Sequence, residues 1–160
     1  MTVVFTRNSS ALSRLIRWAF NEPVSHVAFV FDSKFVIHSN LLGVQFDWFK
    51  TFSKKSEAVF YKDFDLTLEN EEKVYQSLLE RFDEEGYDYK AFIYFAWSAL
   101  LSKMLKVPMH KNNKHNGRGF LCTELYGALP SWLVPKVDQD LSITTPFQLA
   151  KIMGADNNES

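Results

Sequence analysis

Three features of the sequence predict an α+β fold in which an antiparallel sheet packs against helices. Short runs of alternating or continuous apolar residues occupy positions 2–6, 26–38, 44–49 and 58–61, as strands require. Two longer stretches, 68–85 and 91–105, instead carry apolar residues at helical spacing. With 160 residues, 46% hydrophobic and 16% aromatic, the chain can bury one sizeable core, and no repeat, low-complexity tract or linker divides it. A single domain over 1–153 is expected, followed by a disordered polar tail, 154–160.

The elements follow in order. Thr2 to Thr6 is a short strand. Asn8, Ser9 or Ser10 caps a helix whose stripe is Leu12, Leu15, Ile16, Ala19 and Phe20, and Pro23 ends it. SHVAFVFDSKFVIHSN, residues 25–40, holds two strands around a turn near Asp32, and Val44 to Phe49 and Ala58 to Tyr61 are further extended pieces. Leu68 to Glu85 is an acidic amphipathic helix carrying Val74, Leu78, Leu79 and Phe82, terminated at Gly86. Ala91 to Leu105 is a second long helix. The polar loop HKNNKHNGRG then leads into FLCTELYGALP, a short helix closed by Pro130.

Composition narrows the function classes. A net charge of −1 argues against a general nucleic-acid binder, which must neutralise many phosphates. The acidic segment 63–88 and the basic segment 103–118 read first as a solvated helix face and a basic loop. One cysteine cannot form an internal disulfide. MTVVFTRNSS lacks the basic start and long apolar run of a signal peptide, so a cytoplasmic location is expected, or release by a route other than Sec. The longest apolar run, AFIYFAWSALL, is far below the roughly 20 residues that span a bilayer. It reads as a buried helix, with membrane-surface contact as the second reading and no integral membrane segment. A monomer is expected.

The opening hairpin contains the candidate chemistry. If Val27, Phe29 and Phe31 face the core with Phe35 and Ile37, His26 and His38 land together on the other face. A turn centred on Asp32 would make them direct cross-strand neighbours, with Cβ atoms about 5 Å apart. A two-residue turn at Asp32 and Ser33 would shift the register by one and separate them. The third candidate is Cys122, placed at the first turn of a helix, where free N–H groups and the helix dipole favour a thiolate. An inert core cysteine, beside Phe120 and Leu121, is the simpler alternative. Cys122 near His26, with His38 orienting His26, would make a nucleophile, a base and an orienter.

SALSRLIRWAFNEPVSHVAFVF, VIHSNLLGV and GRGFLCTELYGAL together resemble the circularly permuted papain-like cysteine hydrolases of the NlpC-type superfamily. In that group a histidine comes first, a polar residue follows on the next strand, and the cysteine arrives last, at a helix start in a C-[ST]-E context. The matching order here is His26, His38, Cys122, with Thr123 and Glu124 completing C-T-E. The second histidine is similar to the lecithin retinol acyltransferase-like branch; many bacterial and phage relatives have glutamate there.

The resemblance, which spans most of residues 1–133, implies a permuted papain-like fold and a Cys122–His26–His38 triad attacking an amide or ester carbonyl. It implies no cofactor. Cell-wall-type peptides are the first substrate class and acyl lipids the second, and an inert binding module on the same fold is a third reading. Glu124, beside the helix start, reads as structural, and Arg14 and Arg17 read as a solvated helix face. His110, His115 and Cys122 match no zinc spacing, so no metal is expected.

Overall fold

The computed structural model describes residues 1–40, 43–80, 97, 101, 123–134, 141 and 144–157. It is an α+β structure built on a six-stranded antiparallel sheet. The strands are β1 (Thr2–Arg7), β2 (His26–Phe31), β3 (Phe35–Asn40), β4 (Gly43–Trp48), β5 (Glu57–Asp63) and β6 (Asp156–Asn157). Their order across the sheet is β4-β3-β2-β1-β5-β6. Four α-helices are described: α1 (Ala11–Phe20), α2 (Phe49–Ser53), α3 (Leu68–Leu79) and α4 (Pro146–Met153). A 3₁₀ turn, Glu124–Ala128, lies between α3 and α4.

Side-chain alternation divides the sheet into two unequal faces. Val3, Phe5, Val27, Phe29, Phe31 and Ile37 point to the larger core, shared with Val74 and Leu78 of α3, Leu125 of the 3₁₀ turn, and Leu149 and Met153 of α4. The opposite face carries a smaller cluster, with Val4, Ala28, Val30, Val36 and Phe52 of α2 buried and Phe49, Ala58 and Tyr61 packed against them. Bulk on one side and small side chains on the other leave room there for two imidazoles.

Local chemistry sets the helix ends. Ser10 caps α1 by accepting the Ser13 N–H, and Asn21 ends the helix in the left-handed region at φ 55°. Thr67 caps α3 through the Asn70 N–H. Thr145 and Gln148 form a capping box on α4, with Pro146 at the first helical position.

Several expectations are corrected. The hairpin loop has the three residues Asp32, Ser33 and Lys34, flanked by the pair Phe31 and Phe35, so its centre is Ser33 rather than Asp32. Asp32 and Ser33 both adopt positive φ, 48° and 52°, and the Lys34 N–H closes the turn on the Phe31 carbonyl at 2.9 Å. Moving the turn centre by one residue moves the register by two positions. His38 therefore lies opposite Ala28, not opposite His26. The extended piece beginning near Val44 stops at Trp48, and Phe49 opens α2, a helix the sequence reading missed.

The tail expectation also begins too early. Gly154, at φ 59°, accommodates the left-handed end of α4, and the Ala155 N–H returns to the Ala150 carbonyl at 2.9 Å. Asp156 and Asn157 then pair with Tyr61 and Phe60 on the free edge of β5. Helix α3 ends at Leu79 with Glu80 as its C-cap, and 81–85, with nearly all of 91–105 and the loop 110–119, lies outside the described residues. Among the described residues no helix is long and apolar enough to cross a membrane.

The partition of the sheet sets the stability response. Phe29 is 0% exposed in the larger core, so Phe29→Ala should cost about 3–5 kcal/mol by cavity formation. Trp48 is 61% exposed, so Trp48→Ala should cost well under that, about 1 kcal/mol or less. Urea denaturation midpoints of the two variants, compared at equal m-value, check the contrast.

Candidate active site

His26 opens β2 and His38 lies inside β3, and both side chains occupy the smaller face of the sheet. The two-residue diagonal is bridged by the rings themselves. His26 Nε2 and His38 Nδ1 are 3.0 Å apart, and the rings meet edge to face at 88°. Phe52 forms a common wall, with centroids 5.1 Å from His38 and 6.4 Å from His26. The turn at Asp32 to Lys34 thus brings the two histidines together by a diagonal contact instead of the direct one expected.

A third residue, absent from the sequence reading, completes the line. On β4, Asp47 pairs with Val36 and so shares the face of His38, whose Nε2 lies 3.2 Å from Asp47 Oδ2. A carboxylate oxygen only accepts, so His38 Nε2 carries the hydrogen. Neutral His38 then offers a lone pair at Nδ1, which accepts from His26 Nε2–H. His26 in turn is left with an unprotonated Nδ1. Asp47 therefore fixes both tautomers in sequence, and the relay ends in a proton acceptor at the ring nitrogen that His38 does not use. The register of β4 on β3 sets this acid one diagonal step from His38, and no turn signature in the sequence fixes that register.

Burial keeps both rings neutral. It pushes the His26 imidazole down to about 3, and the neighbouring His38 adds to the effect. His38 is also lowered by burial, with its hydrogen bond to Asp47 and that residue's charge acting in the opposite direction. Neutral His38 is the form that the tautomer chain requires.

The strand start that carries His26 is held by a polar clamp. The Ser25 N–H donates to the Thr6 carbonyl at 2.9 Å, and the Ser25 and Ser13 hydroxyls are 2.6 Å apart. Ser13 Oγ also accepts the Asn8 N–H at 3.1 Å. Helix α1 is thereby tied to β2 immediately before the histidine.

Cys122, His110 and His115 lie outside the described residues, as does the side chain of Glu124. The chain is described again from Thr123, whose hydroxyl donates to the Leu141 carbonyl at 3.1 Å. The segment after it is a five-residue 3₁₀ turn rather than an α-helix, so it carries little of the macrodipole expected to favour a thiolate. Leu125 and Tyr126 of this turn pack in the larger core, on the face of the sheet opposite the imidazoles. Among the described residues no group of three His, Cys, Asp or Glu side chains is gathered to hold a metal ion. Arg14 is exposed, whereas Arg17 is only partly so, and its Nε is buried without a hydrogen-bond partner.

Comparison with protein-family models, curated proteins and solved structures gives no match to this chain.

The depressed imidazoles make stability depend on pH. The unfolded chain takes up a proton on His26 near pH 6.5, while the folded chain resists it to about 3. Above pH 6.5 the group adds no pH dependence. Below it the unfolded state binds more protons, and stability should fall by up to about 1.4 kcal/mol per pH unit. His26→Gln should flatten that slope in denaturant titrations between pH 6.5 and 4. Asp47→Asn should lower the His38 pKa further, since the opposing hydrogen bond and charge are gone; ¹⁵N NMR of the imidazoles reads both the shift and the tautomers.

Proposed function

We propose that the protein is a thiol hydrolase of the circularly permuted papain-like type, with Cys122 as nucleophile, His26 as base, and His38 and Asp47 as orienting residues. The supporting observation is the relay from Asp47 through His38 to His26, which leaves one imidazole lone pair directed away from its own orienter. The C-T-E sequence at 122–124 supplies the nucleophile that such a lone pair needs.

In the reaction, His26 Nδ1 takes the Cys122 thiol proton and the thiolate attacks an amide or ester carbonyl carbon. The tetrahedral adduct collapses as the imidazolium returns the proton to the departing amine or alkoxide, leaving a thioester. Water, deprotonated by His26, attacks the thioester; the carboxylic acid departs and the thiol is restored. An isolated His26 is too weakly basic for this role. A thiolate beside it lifts its pKa by direct charge attraction, so nucleophile and base form each other's environment. The reading requires the Cys122 sulfur to reach His26 round the β2 start, since the residues after it pack on the other face.

Amides of cell-wall-type peptides are the preferred substrate class, and acyl lipids the second. The reactivity of Cys122 tests the proposal. Its iodoacetamide alkylation at pH 7 should run at least about tenfold faster than that of a free cysteine and drop to that level in His26→Ala. Equal rates in both forms would leave the inert binding module. Mass spectrometry after incubation with peptidoglycan fragments and phospholipids, with Cys122→Ala as control, should show an acyl adduct whose mass names the substrate class.

A further inference from the structure

Thr6 has 1% of its surface exposed, and its hydroxyl is one of three buried polar side-chain atoms without a hydrogen-bond partner among the described residues. A buried hydroxyl in that state is costly, and a folded protein that keeps one needs a reason for it. Of the three, Thr6 is the one that strand pairing sets against the histidine relay.

Thr6 and His26 are direct cross-strand partners, so their side chains share the smaller face of the sheet with Cβ atoms about 5 Å apart. Across the strands the order is His38 on β3, His26 on β2 and Thr6 on β1, which puts Thr6 on the side of His26 away from His38. The two nitrogens of an imidazole point to widely separated sides of the ring. With His26 Nε2 committed to His38 Nδ1 at 3.0 Å, His26 Nδ1 is turned toward the β1 side. Thr6 Oγ1 nevertheless makes no hydrogen bond to it. A hydroxyl and an unprotonated ring nitrogen thus stand on neighbouring strands, and neither serves the other.

The neighbours on this face are small. Ala58 lies opposite Thr6 on β5, and Ala28 follows two residues after His26 on the same face, so each contributes only a methyl group. The β1–β5 ladder shifts register between Phe5 and Thr6, an irregularity of the kind that bends a strand and re-aims the side chains beside it. Phe52 forms an apolar wall on the other flank, its ring centroid 6.4 Å from that of His26. His26 is itself only half-buried, so solvent has access to the pair. A single water is held where polar groups converge within apolar walls, and it bridges two groups that are too far apart to bond directly.

We infer that Thr6 and His26 hold between them the water that resolves the acyl-enzyme, so that Thr6 directs the reaction to hydrolysis rather than acyl transfer. The inference rests on the hydrolase reading and deepens it. Acylated Cys122 has no proton to give, and His26 Nδ1 is then available to water. The water donates one O–H to Nδ1 and the other to Thr6 Oγ1, which leaves the lone pairs of its oxygen for the thioester carbon. As the new C–O bond forms, the first proton passes to Nδ1. The tetrahedral adduct then breaks its C–S bond, the imidazolium Nδ1–H protonates the departing sulfur, and the carboxylic acid leaves. Without the Thr6 hydroxyl the water keeps one anchor instead of two, and its aim at the carbon is lost.

The activated ester p-nitrophenyl acetate separates the two half-reactions in the full-length protein. Release of p-nitrophenolate reads loading of Cys122 with an acetyl group, and loss of the acetyl mass by time-resolved mass spectrometry reads attack by water. Thr6→Val keeps the shape of the side chain; it should leave loading within about twofold of wild type and slow deacetylation on the order of tenfold. Thr6→Ser, which keeps the hydroxyl, should restore most of the deacetylation rate. A crystal structure of Cys122→Ala should show a water within hydrogen-bond distance of both Thr6 Oγ1 and His26 Nδ1, and adding Thr6→Val should remove it. Unchanged deacetylation in Thr6→Val, an equal loss of loading and deacetylation, or a dry pair in the Cys122→Ala crystal would overturn the inference and leave the hydrolase standing. Should Thr6→Val fail to fold, the presence or absence of that water in Cys122→Ala decides. Wild-type release of p-nitrophenolate no faster than that of Cys122→Ala removes the hydrolase reading and this inference together.

Discussion

The diagonal contact between His26 and His38 is the constraint around which the rest of the site is arranged. It exists because three residues, not two, separate Phe31 from Phe35. A slip of one residue in that hairpin would turn His38 into the larger core and Ile37 out of it, exchanging a satisfied imidazole for an unpaired one and exposing a buried aliphatic chain. Register and chemistry are therefore specified by the same alternation. Positive φ at both Asp32 and Ser33 is the local cost of holding it, borne by residue types that form side-chain-assisted turns readily.

The sheet also works as a divider. One face carries most of the apolar burial, anchored by Phe5, Phe29 and Ile37. Most of the apolar burial lies there, while the other face holds the imidazoles, a carboxylate neighbour and the unpartnered Thr6 hydroxyl.

Much of this was legible in the sequence, and the misses have distinct causes. Period-two alternation sufficed to place His26 and His38 on a common face, since Val27, Phe29, Phe31 and Ile37 could not be solvated. The exact pairing was not legible, because neither Asp32 nor Ser33 announces a left-handed turn as glycine would. Asp47 was hidden for a different reason: its neighbour is decided by how β4 aligns across the connection from Asn40 to Gly43, which no turn signature fixes in advance. Helix α4 was legible in principle, as T-P-F-Q at 145–148 is a capping box with proline at the first helical position. Helix α2 was not, being five residues long and opened by Phe49 directly after a strand. Arg17 looked like surface charge because α1 alone cannot reveal that its stripe is tied down at Ser13.

Asp47 has a second consequence through its position on β4, the outermost strand on that side among the described residues. An edge strand offers unpaired backbone to any other chain, and a charged side chain pointing along the sheet face is one of the devices that discourage such docking. Asp47 keeps its side chain 46% exposed while bonding His38, so one carboxylate orders the imidazoles and guards the edge against self-association. A neutral replacement of Asp47 would therefore alter the histidine pair and the charge on that edge together.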